Sequence, residues 1–193
     1  MKLYRHIGID YGSKLAGTTA ICWQANTQLQ IKHSEKNQDA DIFIQECIRL
    51  IQPESIWIDA PLSLPGIYIG QEGKLDFFYR QSDRELRAMS PMFLGGLTAR
   101  AMKLKHDIPD IPFYEAYPGK LAKLWNWDSR EYKKSKVHMD WFREKVEQET
   151  GVKVPLPESF HELDAVLAWC IGWRNTNEKA LSWGDPDEGL IYA

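Results

Sequence analysis

Apolar and polar positions change period several times along the chain. Residues 5–10 form a short apolar run that leads into Tyr11-Gly12-Ser13, and they read as a buried strand. Residues 17–23, rich in Thr and Ile, read as a second strand. After the turn Ala25-Asn26-Thr27, residues 29–33 alternate as a third. Gly and Asn at short joints predict an antiparallel meander. Over residues 39–51 the spacing becomes helical, with Ile42, Phe43, Cys47, Ile48, Leu50 and Ile51 apolar. Asp39 and Asp41 suit the first turn of that helix and Pro53 stops it. Residues 55–59 are a short apolar run before Ala60-Pro61, which predicts a central strand ending at Asp59.

Residues 62–75 are rich in Gly, Pro and Tyr and read as a long loop. Ser82-Asp83-Arg84-Glu85 fits a capping box and predicts a helix start. Residues 97–105 predict another helix, and residues 112–117 a fifth strand closed by Pro118-Gly119. Residues 135–150 are amphipathic, with Val137, Trp141 and Val146 assigned to the buried face and Gly151 as the stop. Ser159-Phe160-His161-Glu162 is a second capping box. It opens a helix that buries Leu163, Val166, Leu167, Cys170 and Trp173. The order is three strands, helix, strand, helices, strand, helices. It predicts one α/β domain over residues 1–193, a mixed five-stranded sheet with helices packed on it. Ribonuclease-H-like domains share that order.

Composition narrows the partners. A chain of 193 residues favours one domain with a sizeable core. The net charge of −3 lacks the basic excess of a general phosphate-backbone binder, so nucleic-acid contact has to come from a local patch. Cys22, Cys47 and Cys170 are far apart and odd in number, which argues against a disulfide framework or zinc site and for reduced core residues. Residues 1–6 lack an apolar signal segment, and the chain has no run long enough to cross a membrane. The expectation is a cytoplasmic protein. Nothing in the sequence specifies an oligomeric state.

Candidate chemistry lies in the acids at element ends. Asp10 ends the first strand and Asp59 the fourth, which are neighbours in a sheet of this order. Side-by-side carboxylates repel unless a cation neutralises them, and hard cations such as Mg²⁺ take oxygen ligands. Asp164 lies three residues after His161, so both project from one helix face. A helix packed on the first strand would make Asp164 the third member of the cluster. Each acid also has a structural reading: Asp10 as a turn residue before Gly, Asp59 as a cap of the next loop, Asp164 as a partner of the helix dipole. Glu162 is explained by capping. Glu115, flanked by aromatics on a core strand, needs a partner; it is an additional ligand or pairs with Arg84 or Arg87. His161 is a proton shuttle or a surface residue of the first turn. Arg130, Lys133, Lys134 and Lys136 form the best local basic patch for nucleic acid, or a solvated surface. Trp125 and Trp127 beside it stack bases or pack the core.

Five elements occur in order: Ile7-Gly8-Ile9-Asp10, Ile58-Asp59-Ala60-Pro61-Leu62-x-Leu64-Pro65, Arg80-x-x-Asp83-Arg84-x-x-Arg87, Glu115-x-x-Pro118 and His161-Glu162-Leu163-Asp164-Ala165. Together they resemble the predicted-nuclease family known as domain of unknown function 429. The first motif departs from many relatives in having Gly17-Thr18 in place of a Gly-Trp pair. The resemblance implies Asp10, Asp59 and Asp164 as ligands of Mg²⁺ or Mn²⁺, with Asp83, Arg84 and Glu115 as accessory site residues. The expected function is metal-dependent phosphodiester hydrolysis, with Arg84 or Lys120 holding a phosphate. Two rivals remain. One is a non-catalytic binding or scaffold protein on the same fold. The other is an actin-like ATPase or sugar kinase, whose first phosphate loop Asp10-x-Gly12-Ser13 with Gly17-Thr18 resembles.

Overall fold

A computed structural model describes residues 3–127 and 133–193. The predicted meander is present: β1 (His6–Asp10), β2 (Ala20–Ala25) and β3 (Gln28–His33) pair antiparallel in sequence order. The helix α1 (Ala40–Ile51) crosses to β4 (Ser55–Asp59), which lies parallel to β1. Asp39 caps α1, its carboxylate accepting from the N–H groups of Asp41 and Ile42. A long crossover carries α2 (Gln81–Leu86), α3 (Pro91–Leu94) and α4 (Gly96–Asp107) to β5 (Phe113–Ala116), parallel to β4. Then follow α5 (Pro118–Leu124), α6 (Val137–Thr150) and α7 (Phe160–Thr176). The sheet order begins β3-β2-β1-β4-β5, the mixed sheet and strand order expected from the sequence.

The sheet has seven strands rather than five. β6 (Ser182–Trp183) and β7 (Ile191–Tyr192) extend it beyond β5. Each is two residues long, too short for any alternation to show, and exists because β7 finds the free edge of β5. Pro118, expected only to close the fifth strand, opens α5, where its missing N–H costs nothing at a first-turn position. The loop over residues 62–75 contains one 3₁₀ turn, Gly66–Ile69. Ser82 lies inside α2 rather than capping it; the helix begins one residue earlier, where the Arg80 N–H donates to Asp83 at 2.9 Å. On α6 the buried residues are Met139, Phe142 and Val146. Val137 is 79% exposed and Trp141 38%, because the first turn of α6 runs past the rim of the core.

The two faces of the sheet carry different helices. Ile7, Ile9, Ile56 and Ile58 pack with Phe43 and Ile44 of α1 and with Leu104 of α4. On the other face, Trp57 and Cys22 pack with α7 and with Leu121 of α5 and Phe142 of α6. Every residue of α7 from Glu162 to Trp173 is buried, so it is a central helix covered on all sides. All three cysteines are buried and free. Among the described residues, no helix is long and apolar enough to cross a membrane.

Candidate metal centre

Strand alternation decides which side chains of β1 meet α7. His6, Gly8 and Asp10 share one face, opposite Ile7 and Ile9. Gly8 lets the helix lie against the strand backbone: a Cβ there would sit 2.2 Å from the Trp169 N and 2.3 Å from the Ala165 O. Asp10 and Asp59 are direct partners in the parallel register of β1 and β4. Both end their strands, at the carboxyl edge where ligands approach open α/β sheets. The start of α7 is held by Ser159, whose hydroxyl accepts from the Glu162 N–H, while the Glu162 carboxylate accepts from the Glu158 N–H. This cap sets the helix phase so that Asp164, one turn in, points at the two strand ends.

The result is a cluster in which one carboxylate oxygen from each of Asp10, Asp59 and Asp164 lies within 4.8 Å of the others. Asp164 has no exposed surface, Asp10 little, and Asp59 keeps some. The Asp59 carboxyl is pushed well above the usual carboxylate range, first by desolvation and then by the charges of Asp164 and Asp10. Among the described residues, His161 and Lys133 touch the cluster. His161 Nδ1 is 2.7 Å from Asp10 Oδ2, and this bond raises the imidazole pKa against partial desolvation. Lys133 Nζ lies 2.5 Å from Asp164 Oδ2. Desolvation would lower the Lys133 pKa, but the Asp164, Asp59 and Asp10 charges outweigh it and raise it.

A second set of buried acids lies alongside. Glu115 pairs with neither Arg84 nor Arg87, the partners expected from sequence. It pairs with Arg80, which has no exposed surface and donates to both Glu115 oxygens at 2.7 and 2.8 Å. Arg80 also donates to both Asp83 oxygens, at 3.0 and 2.7 Å. The difference follows from helix geometry: Arg80 is the cap of α2 and turns inward, whereas Arg84, one turn on, faces solvent and pairs with Asp76. Burial holds the Glu115 pKa up despite Arg80 and the Leu62 N–H. Glu115, Asp83 and Asp59 line one cavity of about 140 Å³, with Met89, Leu97 and Tyr117 among its other walls.

Lys120 places its ammonium 4.9 Å from the Trp183 ring centre. Of the basic run, Arg130 lies outside the described residues, and Lys136 donates to the Glu158 carbonyl at 3.1 Å. Trp127 packs on His138, Trp141 and Phe142, and Trp125 on Trp141 and Phe142. Sequence reasoning did not single out Arg80 or the contact of Lys133 with Asp164. The Arg-x-x-Asp spacing of Arg80 and Asp83 was a usable signal for the first. The second joins residues far apart on a surface-like basic run and carried none.

No model of a known protein family matches the chain. No curated protein matches it either. Among solved structures, RuvC of Thermus thermophilus aligns with 90% of this chain and 96% of its own, at 14% identity and a TM-score of 0.47.

Proposed function

We propose that this protein is a Mg²⁺- or Mn²⁺-dependent phosphodiesterase acting on nucleic acid, with Asp10, Asp59 and Asp164 as the metal ligands. The observation that carries the reading is the convergence of three carboxylate oxygens within 4.8 Å. Nothing in the packing of β1, β4 and α7 requires three acids there, and their repulsion has to be offset. The donor set fits the ion. It is all oxygen, which suits hard divalent cations rather than zinc. The motif resemblance to domain of unknown function 429 supports the same reading.

When bound, such an ion supplies an activated water and positive charge for the leaving oxygen. The chain supplies the rest. Asp10 and Asp59, fixed in adjacent strands, hold their carboxylates in one register, and Asp164 closes the third side from α7. His161, 49% exposed at its side chain and bonded to Asp10, holds a proton at the mouth of the site and delivers it to the departing oxygen. Arg80 pins Glu115 and Asp83 so that these acids support the neighbouring cavity wall rather than joining the ligand set. The phosphate contact is assigned to a cation outside the cluster, Arg84 or Lys120.

Titration calorimetry with Mn²⁺ on the native chain and on Asp10→Asn tests this, followed by single-stranded and duplex DNA and RNA substrates. Binding in the native chain, lost in Asp10→Asn together with cleavage, is the expected result. Metal affinity untouched by Asp10→Asn, with no cleavage of any substrate by either protein, overturns the reading in favour of a binding or scaffold role.

A further inference from the structure

The cavity of about 140 Å³ beside the acidic cluster has Asp59 in its lining. Its other polar lining comes from Asp83, Glu115 and Tyr117, and Met89 and Leu97 supply apolar wall. Asp83 and Glu115 are buried, whereas Met89 is 63% exposed and so marks the mouth. A ring-sized space therefore runs from solvent, between apolar walls, to two buried carboxylates.

The hydrogen bonds of those carboxylates show what they still accept. Asp83 Oδ2 accepts from the backbone N–H and the Nε of Arg80, while Oδ1 accepts from Nη2 alone. Glu115 Oε2 accepts from the Leu62 N–H and from Arg80 Nη1, while Oε1 accepts from Nη2 alone. A carboxylate offers about four acceptor sites, so among the described residues each acid keeps one. Two carboxylates against one guanidinium, with Asp59 alongside, repel an anion and favour a hydrogen-bond donor. A phosphate is therefore turned away from this space and an uncharged group bearing an amine is welcome.

We infer that this cavity receives one unpaired pyrimidine base of the substrate, cytosine rather than uracil or thymine, next to the bond that is cut. This rests on the phosphodiesterase reading above and gives it a base preference. Size supplies the first reason: a cavity of about 150 Å³ admits a benzene ring, so this one takes a single six-membered ring and not a fused purine. Donor chemistry supplies the second. Cytosine carries an N4 amino donor where thymine carries an O4 acceptor. The amine fills a spare acceptor site of Asp83 or Glu115, whereas an O4 there would face a carboxylate. A base read in such a pocket is out of its stack, so the substrate is single-stranded or locally unpaired.

The test is a nuclear magnetic resonance titration of the isotope-labelled chain with cytidine, uridine and adenosine, in the native form and in Met89→Trp. Cytidine is expected to shift the signals of the cavity residues and to bind about tenfold tighter or more than uridine, as a hydrogen bond to a carboxylate requires. Adenosine is expected to bind more weakly than cytidine. Met89→Trp narrows the mouth at an exposed position and is expected to weaken cytidine binding about tenfold or more. Circular dichroism confirms folding, and Ala88→Leu, on the same wall, repeats the block. No cavity shift with cytidine at its solubility limit would sink this inference, as would equal affinity for the three nucleosides. Unchanged cytidine affinity in folded Met89→Trp and Ala88→Leu would do the same. In each of these cases Mn²⁺ binding that is lost in Asp10→Asn leaves the metal reading standing. Cytidine selectivity in a native chain that binds no Mn²⁺ keeps the pocket and overturns the metal reading instead.

Discussion

Two groups of buried acids lie side by side at the ends of β4 and β5, and their chemistry differs. In one, Glu115 and Asp83 each receive two hydrogen bonds from the fully buried guanidinium of Arg80. In the other, Asp10, Asp59 and Asp164 face one another with a lysine and a histidine at the edge. Asp59 and Glu115 are one residue apart in the register of β4 and β5, so the two groups share a local frame. What separates them is whether a planar five-donor cation satisfies the oxygens. A closed network of this kind organises structure. Carboxylates that converge on one another hold repulsion that a cation can relieve on binding.

The comparison breaks most directly at Arg80. Arg80→Met leaves two buried carboxylates without their cation, and urea unfolding is expected to show a loss of about 3–5 kcal/mol that added Mg²⁺ does not restore. Restoration by Mg²⁺ would mean that Glu115 and Asp83 belong to the metal centre after all. Gly8→Ala comes next. Its methyl meets the backbone of α7, so a loss of about 3 kcal/mol is expected, with weaker Mn²⁺ binding because Asp164 moves with the helix. Unchanged metal affinity in a folded Gly8→Ala chain would show that the close approach does not position the cluster.

His6, on the same face of β1, gives a pH test remote from the acids. Burial lowers its pKa from 6.5 to about 4, while its ring bonds the Trp169 carbonyl at 2.8 Å. The unfolded chain therefore binds the proton more readily. The stability this group contributes is present above pH 6.5 and is lost as pH falls towards 4, about 3 kcal/mol in all. His6→Gln is expected to flatten that part of the profile of unfolding free energy against pH. The last test is at Asp59. Its raised pKa means that the folded state holds the proton better than the unfolded chain, so this contribution is present at low pH and lost as pH rises through the folded value. Asp59→Asn does not titrate, and without metal it is expected to be more stable at pH 7 while binding Mn²⁺ less well. A destabilised metal-free Asp59→Asn would show that the three acids do not strain the fold.

Much of the fold was legible because local rules coincide with tertiary demand. The Asp39 cap, the Ser159 cap and the apolar runs of β1 and β4 each combine a hydrophobic period with a chemically specific end. The misplaced elements lack that coincidence. β6 and β7 are too short to have a period. The buried face of α6 was misjudged because Trp141, large and apolar, lies at the rim and Met139 carries the core contact instead. Pro118 was read as a stop because proline ends strands and opens helices alike.

For the site, the residue types and their positions at element ends came from the sequence, including the shared face of His161 and Asp164. Which carboxylates meet was decided by strand register and by the depth at which Gly8 admits α7, both properties of pairs of elements. The pairing of Arg80 with Glu115 and of Lys133 with Asp164 was decided by tertiary structure alone. A long cation reaches several partners with equal chemical sense, and only packing selects among them. The sequence by itself determined the order of elements and the presence of acids at their ends, because hydrophobic period and capping are local. Tertiary structure decided which of those acids are neutralised by a guanidinium and which are left to converge, because that depends on distances between residues far apart in the chain.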